Sequence, residues 1–277
     1  MIRHILVPTD GSEESFIGVR YGVGLAKQWE ATLHGLYVVH VKMLEGPFFR
    51  DVSAALGTAP YVNYQGNIAM ILEERGKAAL EHFRKTCEDA GVKHNARLLT
   101  GVVPRVIVEQ GELADLIVLG RSGEHSEWLD GLVGSTTEAV VRRADRPVVV
   151  TGKDTPGHDL FVVAYDGSHY AKEALQRAAD LGADWKAALR VLVVATESRA
   201  ATLVREARQY LEAHQLQVDY VIREGDPSEA IVADAAESHA DLLVMGAYGH
   251  TKVRELVVGS TTAYAINHAP CPVLLTR

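Results

Sequence analysis

The sequence contains few cysteines and no surplus of basic residues. Its two cysteines among 277 residues, Cys87 and Cys271, lie far apart and in no CxxC pair. This spacing argues against a disulfide framework and a zinc site, and it favours a reducing cytoplasm. The formal net charge of −8 argues against broad binding to nucleic acid or to an anionic membrane, because phosphate-rich partners normally meet a face rich in lysine and arginine.

Long hydrophobic runs are also missing. No segment approaches the roughly 18 apolar residues that a membrane span needs, and the N-terminus shows no basic region followed by an apolar stretch and a cleavage site. We therefore expect a soluble protein that is not exported. The content of 47% hydrophobic and 23% charged residues indicates a globular chain, long enough for two ordinary domains.

The common signatures of catalysis are absent as well. The sequence lacks a GxxxxGK[ST] loop, a GxGxxG fingerprint and a GxSxG elbow. Its twelve histidines show no HExxH or other metal-ligand spacing. We therefore assign no catalytic residue and no metal ligand.

What the sequence does contain is an internal repeat. An apolar run that ends in Asp-Gly-Ser occurs twice, as do an Ala-Asp-led apolar run that ends in glycine, a Gly-Ser-Thr-Thr segment and a final apolar run that follows a proline. Such self-similarity indicates two tandem copies of one structural unit. The paired segments are residues 4–12 and 160–168, 114–120 and 240–246, 134–137 and 259–262, and 146–151 and 271–276.

The repeat predicts a domain at residues 1–152 and another at 158–277. A polar segment around Gly152 to His158 is typical of a linker. The first copy is about 30 residues longer than the second, and most of that insertion falls within Lys42 to Leu72, where glycines and prolines interrupt any regular period. We expect the insertion to form an irregular lid or a short helix near the functional site.

Within each copy, short apolar runs alternate with segments of helical period. Residues 6–8, 33–39, 116–119 and 148–151 have the pattern of strands buried on both faces of a parallel sheet. Helical spacing is seen in residues 16–26 and 203–211, and Asp226-Pro227-Ser228-Glu229 is a strong helix start. The alternation predicts an α/β fold with a doubly wound parallel sheet in each copy.

The loops that follow the strands carry the chemistry of the second copy. In such a sheet, ligands bind beyond the carboxyl ends of the strands. Gly246 and Gly249 lie after one strand, and Gly259 opens the next helix, so that backbone amides can approach a phosphate closely. Ser260 and Thr261 add hydroxyl donors, and the carboxylate of Asp166 suits a pair of ribose hydroxyls.

These residues resemble the universal stress protein family, which has an apolar strand that ends in Asp-Gly-Ser and a Gly-x2-Gly-x9-Gly-(Ser/Thr) loop. The resemblance covers nearly the whole chain and implies two tandem Rossmann-like domains of the adenine nucleotide alpha hydrolase type. It implies a stress-response protein that binds ATP, ADP or AMP, with or without Mg²⁺. It also implies that Asp166 contacts the ribose, that the backbone of Val194 contacts the adenine, and that Gly246, Gly249, Gly259, Ser260 and Thr261 hold the phosphates.

The first copy matches this pattern at every position but departs from it in spacing and charge. Ten residues rather than nine separate its last two loop glycines, and residues 124–133 carry a formal charge of −3, whereas residues 250–258 carry +1. We therefore expect the first site to be weaker, altered or empty. The matching residues are Asp10, Val38, Gly120, Gly123, Gly134, Ser135 and Thr136.

Simpler interpretations remain open for several of these residues. Asp10 and Asp166 are also good turn or N-cap residues, and Ser135 with Glu138 can form a capping box. Two alternative functions also remain open, namely a partner-binding scaffold without nucleotide and a slow ATP hydrolase. Rapid ATP turnover is not supported, because no residue is identified that would position a water molecule.

The final strand of each copy is short and apolar, and we expect it at the edge of its sheet. Exposed edges invite pairing. The resemblance implies that these two strands join the copies as a pseudo-twofold intramolecular dimer, and it leaves open the association of two chains into a homodimer.

Overall fold

A computed structural model describes residues 2–40, 61–123, 134–152, 157–248 and 259–277, with side chains of the second helix described from residue 69 onward. Ten strands and eight helices lie within these ranges. The strands are β1 His4–Pro8, β2 Thr32–His40, β3 His94–Gly101, β4 Leu116–Leu119, β5 Val148–Val150, β6 Leu160–Ala164, β7 Ala188–Val194, β8 Val218–Arg223, β9 Leu242–Gly246 and β10 Val273–Thr276. The helices are α1 Glu13–Trp29, α2 Tyr61–Asp89, α3 Val103–Gly111, α4 Ser135–Arg143, α5 His169–Trp185, α6 Glu197–Leu211, α7 Pro227–Glu237 and α8 Ser260–His268.

All ten strands form one continuous sheet in the order β3-β2-β1-β4-β5-β10-β9-β6-β7-β8. Each half contributes five parallel strands in the same relative order, and the only antiparallel pair among the described strands is β5 with β10. In that pair Val150 lies opposite Val273, and Val148 lies opposite Leu275. The prediction that the two final strands join the halves is confirmed.

The sheet is covered by helices on both faces, as the doubly wound prediction requires. One apolar core lies under α1, α2, α5 and α6, where Val19, Phe83 and Leu203 are buried. A separate core lies under the remaining four helices, where Ile107, Ile231 and Ile266 are buried. Because both faces of the central strands are buried, their sequences read as unbroken apolar runs.

The prediction for the insertion was wrong in part. Residues 61–72, expected to form an irregular lid or a short helix, are instead the first turns of the 29-residue helix α2. This helix is 14 residues longer than its counterpart α6, which has 15. The glycines and prolines within residues 42–72 suggested irregular structure and gave no sign that the helix begins as early as Tyr61. Helix boundaries depend on tertiary packing as well as on local sequence. Residues 42–60 of the insertion lie outside the described residues.

The predicted start of α7 is confirmed in detail. Asp226 is the N-cap, its carboxylate accepts hydrogen bonds from the amides of Ser228 and Glu229 at 2.8 and 3.3 Å, and Pro227 is the first helical residue. These backbone bonds lower the pKa of Asp226 below its usual value. The N-cap thereby fixes where α7 begins, at the edge of the sheet where Pro227 lines a cleft.

Further along α7, the buried carboxylate of Asp234 holds the helix to the sheet. It accepts from Arg190 Nε of β7 at 3.0 Å and from Arg223 Nη2 of β8 at 3.1 Å, and its own side chain is 0% exposed. Arg190 also pairs with Asp219 at 3.3 Å, but that carboxylate is 63% exposed. Buried charge pairs are costly to break, because removing one partner leaves the other charge without compensation.

We predict that Asp234→Asn lowers the free energy of unfolding by about 2–3 kcal/mol, somewhat less than for a fully buried pair, because Arg223 can still reach solvent. Asp219→Asn is the matched control, because it removes an exposed carboxylate that also pairs with Arg190. This variant should lower the free energy of unfolding by less than about 1 kcal/mol. Urea denaturation of both variants measures the difference. Equal losses would show that α7 is not held by the buried carboxylate.

Candidate functional site

Two clefts open at the carboxyl edge of the sheet, one in each half. The first cleft lies beyond β1, β2 and β4, with a volume of about 360 Å³, and the second lies beyond β6, β7 and β9, with a volume of about 340 Å³. The two clefts are thus of similar size. The first cleft is lined by Asp10, Val38, Gly120, Gly123, Gly134, Ser135 and Thr136, and the second by Asp166, Val194, Gly246, Gly259, Ser260 and Thr261.

The structure therefore brings together all seven residues expected in the first half and six of the seven expected in the second. The seventh, Gly249, lies outside the described residues, as do the two loop segments 124–133 and 250–258 whose charges differ. The contrast in loop charge thus remains a statement about the sequence.

Both clefts contain the N-terminus of a helix that begins at a glycine. Gly134 is the N-cap of α4 and Gly259 is the N-cap of α8, so neither N-cap has a side chain to accept from the first-turn amides. By contrast, α1 and α5 begin at Ser12 and Ser168, whose hydroxyls accept from the helix amides. The two helices at the clefts therefore direct amides and the positive end of the helix dipole at the place where an anion would lie.

This geometry overturns the alternative capping box of Ser135 and Glu138. A capping box requires Ser135 at the N-cap, but Ser135 is the first helical residue and Gly134 takes the N-cap position. The amide of Glu138 donates to the carbonyl of Gly134 at 3.0 Å as an ordinary helix bond. The hydroxyl of Ser135 is thus left on the cleft side of the helix.

Sequence reasoning missed the role of the last threonine in each Gly-Ser-Thr-Thr segment. Thr137 is buried and its hydroxyl donates to the carbonyl of Gly120 at 3.0 Å. Thr262 is also buried and donates to Ala247 at 3.0 Å. Each threonine therefore ties the start of its helix to the preceding glycine loop. The exact repetition of this threonine in both halves was the available signal.

The aspartates at the ends of β1 and β6 combine the turn role with a place in the clefts. The carboxylate of Asp10 accepts from the amide and hydroxyl of Ser12 at 3.0 and 2.6 Å, and that of Asp166 accepts from the amide of Ser168 at 2.9 Å. The N-caps are the serines, so the N-cap interpretation of the aspartates is wrong and the turn interpretation is confirmed. The turn holds each carboxylate in the wall of its cleft.

The first glycine of each loop is required by packing. A Cβ on Gly246 would lie 2.8 Å from the Cβ of Tyr170 and 3.1 Å from the amide nitrogen of Ala171, at the start of α5. A Cβ on Gly120 would lie 2.7 Å from the carbonyl oxygen of Glu14 in α1. These glycines let the strand end approach the helix backbone closely, a reason that holds without any ligand.

Gly259 has no such reason to be a glycine. Its φ of −55° suits any residue, and among the residues that the structure describes a Cβ would meet nothing closer than the Thr262 hydroxyl at 3.6 Å and the Ala247 carbonyl at 3.8 Å. Both are ordinary contacts, so the described residues around Gly259 leave room for a side chain at this position. The missing side chain keeps the space in front of the α8 amides clear.

The backbone of Val194 faces the interior of the second cleft. The carbonyl of Leu192 accepts from the amide of Tyr165 at 2.9 Å. Because backbone groups alternate sides along a strand, those of Val194 point in the same direction, past the end of β6. The first half repeats this arrangement at Val38.

Three basic side chains that sequence reasoning missed also line the clefts. Arg75 of α2 and His40 at the end of β2 line the first cleft, and Arg199 in the first turn of α6 lines the second. Arg75 places a positive charge at the first cleft, whereas residues 124–133 of the same half contain no lysine or arginine. Arg75 was missed because it lies on α2 just past residues 42–72, the segment that was expected near the site.

Tyr165, at the end of β6, borders the second cleft as a neutral phenol. Burial and the neighbouring carboxylate of Glu206 raise its pKa above the usual value, and Glu206 is itself paired with Lys172 at 2.6 Å. The equivalent position in the first half is Thr9, which contacts the hydroxyl of Ser15 at 2.8 Å. The two clefts therefore differ in the chemistry of one wall.

The family model for the universal stress protein family matches residues 1–152 and 159–277. The chain belongs to the universal stress protein family. Since the model matches twice along the chain, the protein is a tandem member, in agreement with the repeat seen in its sequence.

This tandem universal stress protein has relatives of full and of half length. It is 26% identical over 287 residues to one from Synechocystis sp., with 100% of both chains covered. It is 34% identical over 156 residues to one from Methanocaldococcus jannaschii, covering 55% of this chain and 84% of the relative. A solved universal stress protein from Archaeoglobus fulgidus shares 24% identity and has a TM-score of 0.80 over 99% of this chain and 98% of its own, which shows a common fold.

The described parts of this universal stress protein contain neither a candidate membrane span nor a candidate metal cluster. Within them, no helix has the length and apolar character needed to cross a membrane. The same residues contain no group of three histidine, cysteine, aspartate or glutamate side chains arranged to hold a metal ion.

We predict that, in the absence of ligand, substitution of Gly246 destabilises the protein whereas substitution of Gly259 does not. Gly246→Ala should lower the free energy of unfolding by about 1–3 kcal/mol, because the new Cβ meets backbone atoms of α5. Gly259→Ser should leave stability within about 0.5 kcal/mol of the parent, because serine is a good N-cap in the available space. Thermal unfolding without nucleotide measures both. A large loss for Gly259→Ser would show that packing requires this glycine too.

Proposed function

We propose that this universal stress protein binds an adenine nucleotide in its second cleft and that occupancy of the site, rather than catalysis, conveys a state in the stress response. The observation that carries the proposal is Gly259, whose missing side chain is explained neither by backbone conformation nor by packing against the described residues. A phosphate in front of the α8 amides supplies the missing reason, since such amides and the helix dipole favour an anion.

Each part of the nucleotide has a matching group in the second cleft. The phosphates lie against the amides and hydroxyls of Ser260 and Thr261, and the ribose hydroxyls donate to Asp166. The adenine pairs with the backbone of Val194, whose polar groups face past the end of β6. The family resemblance and the presence of these residues around one cleft support this assignment.

The first cleft takes the same ligand more weakly. It has the matching residues and comparable volume, but its loop carries −3 where the second carries +1. Each like charge in a partly desolvated cleft costs a polyanion on the order of 1 kcal/mol. Arg75 offsets part of this repulsion, so the first cleft is weakened rather than closed.

A non-catalytic site can still transmit a signal. A nucleotide that binds only the folded protein stabilises the bound conformation by mass action, in proportion to the logarithm of its concentration above Kd. The bound population therefore follows the nucleotide level. Adenine nucleotides with one, two or three phosphates all satisfy the amides of α8, so the arrangement selects the adenosine part and an anionic group.

We predict that purified protein retains an adenine nucleotide and that Gly259→Ser weakens its binding about tenfold or more, because the serine hydroxyl caps the same amides that the phosphate uses. Asp166→Ala should also weaken binding. Mass spectrometry of the ligand released on denaturation, followed by titration of the emptied protein with ATP, measures both effects.

Gly24→Ser is the matched control, because a Cβ at Gly24 meets nothing within 4 Å and the residue lies on α1. It should bind as the parent does. Retention of nucleotide by Gly259→Ser at the parental level would refute the site. A parent protein that neither carries nor binds adenine nucleotide would favour the scaffold function instead.

A further inference from the structure

Each glycine loop reaches across the junction of the halves to the far end of the other half's cleft helix. Arg121, in the loop after β4, directs its guanidinium to the C-terminus of α8, where Nη1 donates to the carbonyl of Asn267 at 2.9 Å and Nη2 to that of Ala269 at 2.8 Å. These two carbonyls belong to the last turn and the C-cap of the helix whose first turn forms the second cleft.

The two hydrogen bonds between Arg121 and α8 are half-buried and involve a charged donor. Burial lowers the pKa of the guanidinium below its usual value, but an arginine keeps its charge in proteins. A cation at the C-terminus of a helix is stabilised by the helix dipole, and charge-assisted hydrogen bonds are stronger than neutral ones. Arg121 therefore holds the C-terminal end of α8 by two bonds of fixed geometry.

The same residue is built into the first half through its backbone. The carbonyl of Arg121 accepts from the amide of Gly134, the N-cap of α4, at 3.2 Å. Its neighbours Gly120 and Ser122 line the first cleft, but Arg121 is not among the described residues that do. Its side chain thus serves the second half although its position in the sequence places it in the first loop.

The opposite loop makes the reciprocal contact. The hydroxyl of Tyr248 donates to the carbonyl of Arg142, in the last turn of α4, at 3.0 Å. Arg277 donates to the same carbonyl at 3.1 Å and lies over the ring of Tyr248 at 5.9 Å. The far end of each cleft helix is therefore held by side chains of the other half.

We propose that Arg121 is a positioning residue for the nucleotide in the second cleft. The inference depends on the proposed function. Helix α8 has nine residues and is therefore about 13 Å long, so a fixed C-terminus limits how far its N-terminal amides can tilt away from a bound phosphate. Amides held in place before binding cost less to order when the ligand arrives.

The test compares Arg121→Met, Arg121→Lys and Arg146→Met in the full chain, using photolabelling with 8-azido-ATP and peptide mapping to assign the label to either half. Arg146 is the matched control, because its guanidinium donates to the carbonyl of Glu112 at 2.8 Å, at the end of α3, and touches neither cleft helix in this way. Circular dichroism and thermal unfolding report whether each variant folds.

We expect Arg121→Met to raise the ATP concentration needed for half-maximal labelling of residues 157–277 about fivefold, with labelling of residues 1–152 unchanged. Arg121→Lys should recover part of the loss, and Arg146→Met should label as the parent does. Unchanged second-half labelling, or an equal loss in both halves, would overturn the positioning role alone. Failure of the parent to label at all would overturn the proposed function, and the positioning role with it.

Discussion

The antiparallel pairing of β5 with β10 is the constraint on which the rest of the molecule depends. Each half ends in a short strand that is buried on both faces, and alone each would expose an edge that invites pairing with other chains. By pairing with each other, the two strands close both edges and make one ten-stranded sheet. Because β5 and β10 are antiparallel, the parallel strands of one half run in the opposite direction to those of the other. The final strand of each half therefore lies beside its counterpart from the other half.

A consequence of this junction is that the loop of each cleft contacts the cleft helix of the other half. The loops of the clefts follow β4 and β9, which are the neighbours of β5 and β10. They therefore lie close enough to the junction for Arg121 and Tyr248 to reach the opposite half. A single-domain chain would need a second copy to provide the same contacts, whereas the tandem chain carries them within one molecule.

Much of the fold could be predicted from the sequence, because its signals are local or repeated. An unbroken apolar run predicted a strand at residues 116–119, and β4 has the same bounds in the structure. The Asp226-Pro227 pair predicted the observed start of α7. The reach of α2 could not be predicted, because glycine and proline near a helix end weaken its local signal while tertiary packing decides its length. The cross-half contacts of Arg121 could not be predicted either, since nothing in a sequence states which carbonyl a long side chain will reach.

For the clefts, the sequence predicted which residues would meet but not why each is present. The repeat and the loop pattern predicted that Asp166, Gly246 and Gly259 would lie around one site, and in the structure all three line the second cleft. Only the structure separates their roles. Gly246 has no side chain because α5 packs against it, whereas the space beside Gly259 would accept one. A motif of glycines thus combines a position that packing requires with one that packing against the described residues does not require.

The most direct test of the central claim is a crystal structure of the full chain grown with a non-hydrolysable ATP analogue. The account predicts phosphate oxygens within about 3 Å of the amides of Ser260 and Thr261, with the ribose beside Asp166. A second cleft that is filled by the protein's own side chains, or an analogue bound only elsewhere on the molecule, would contradict it.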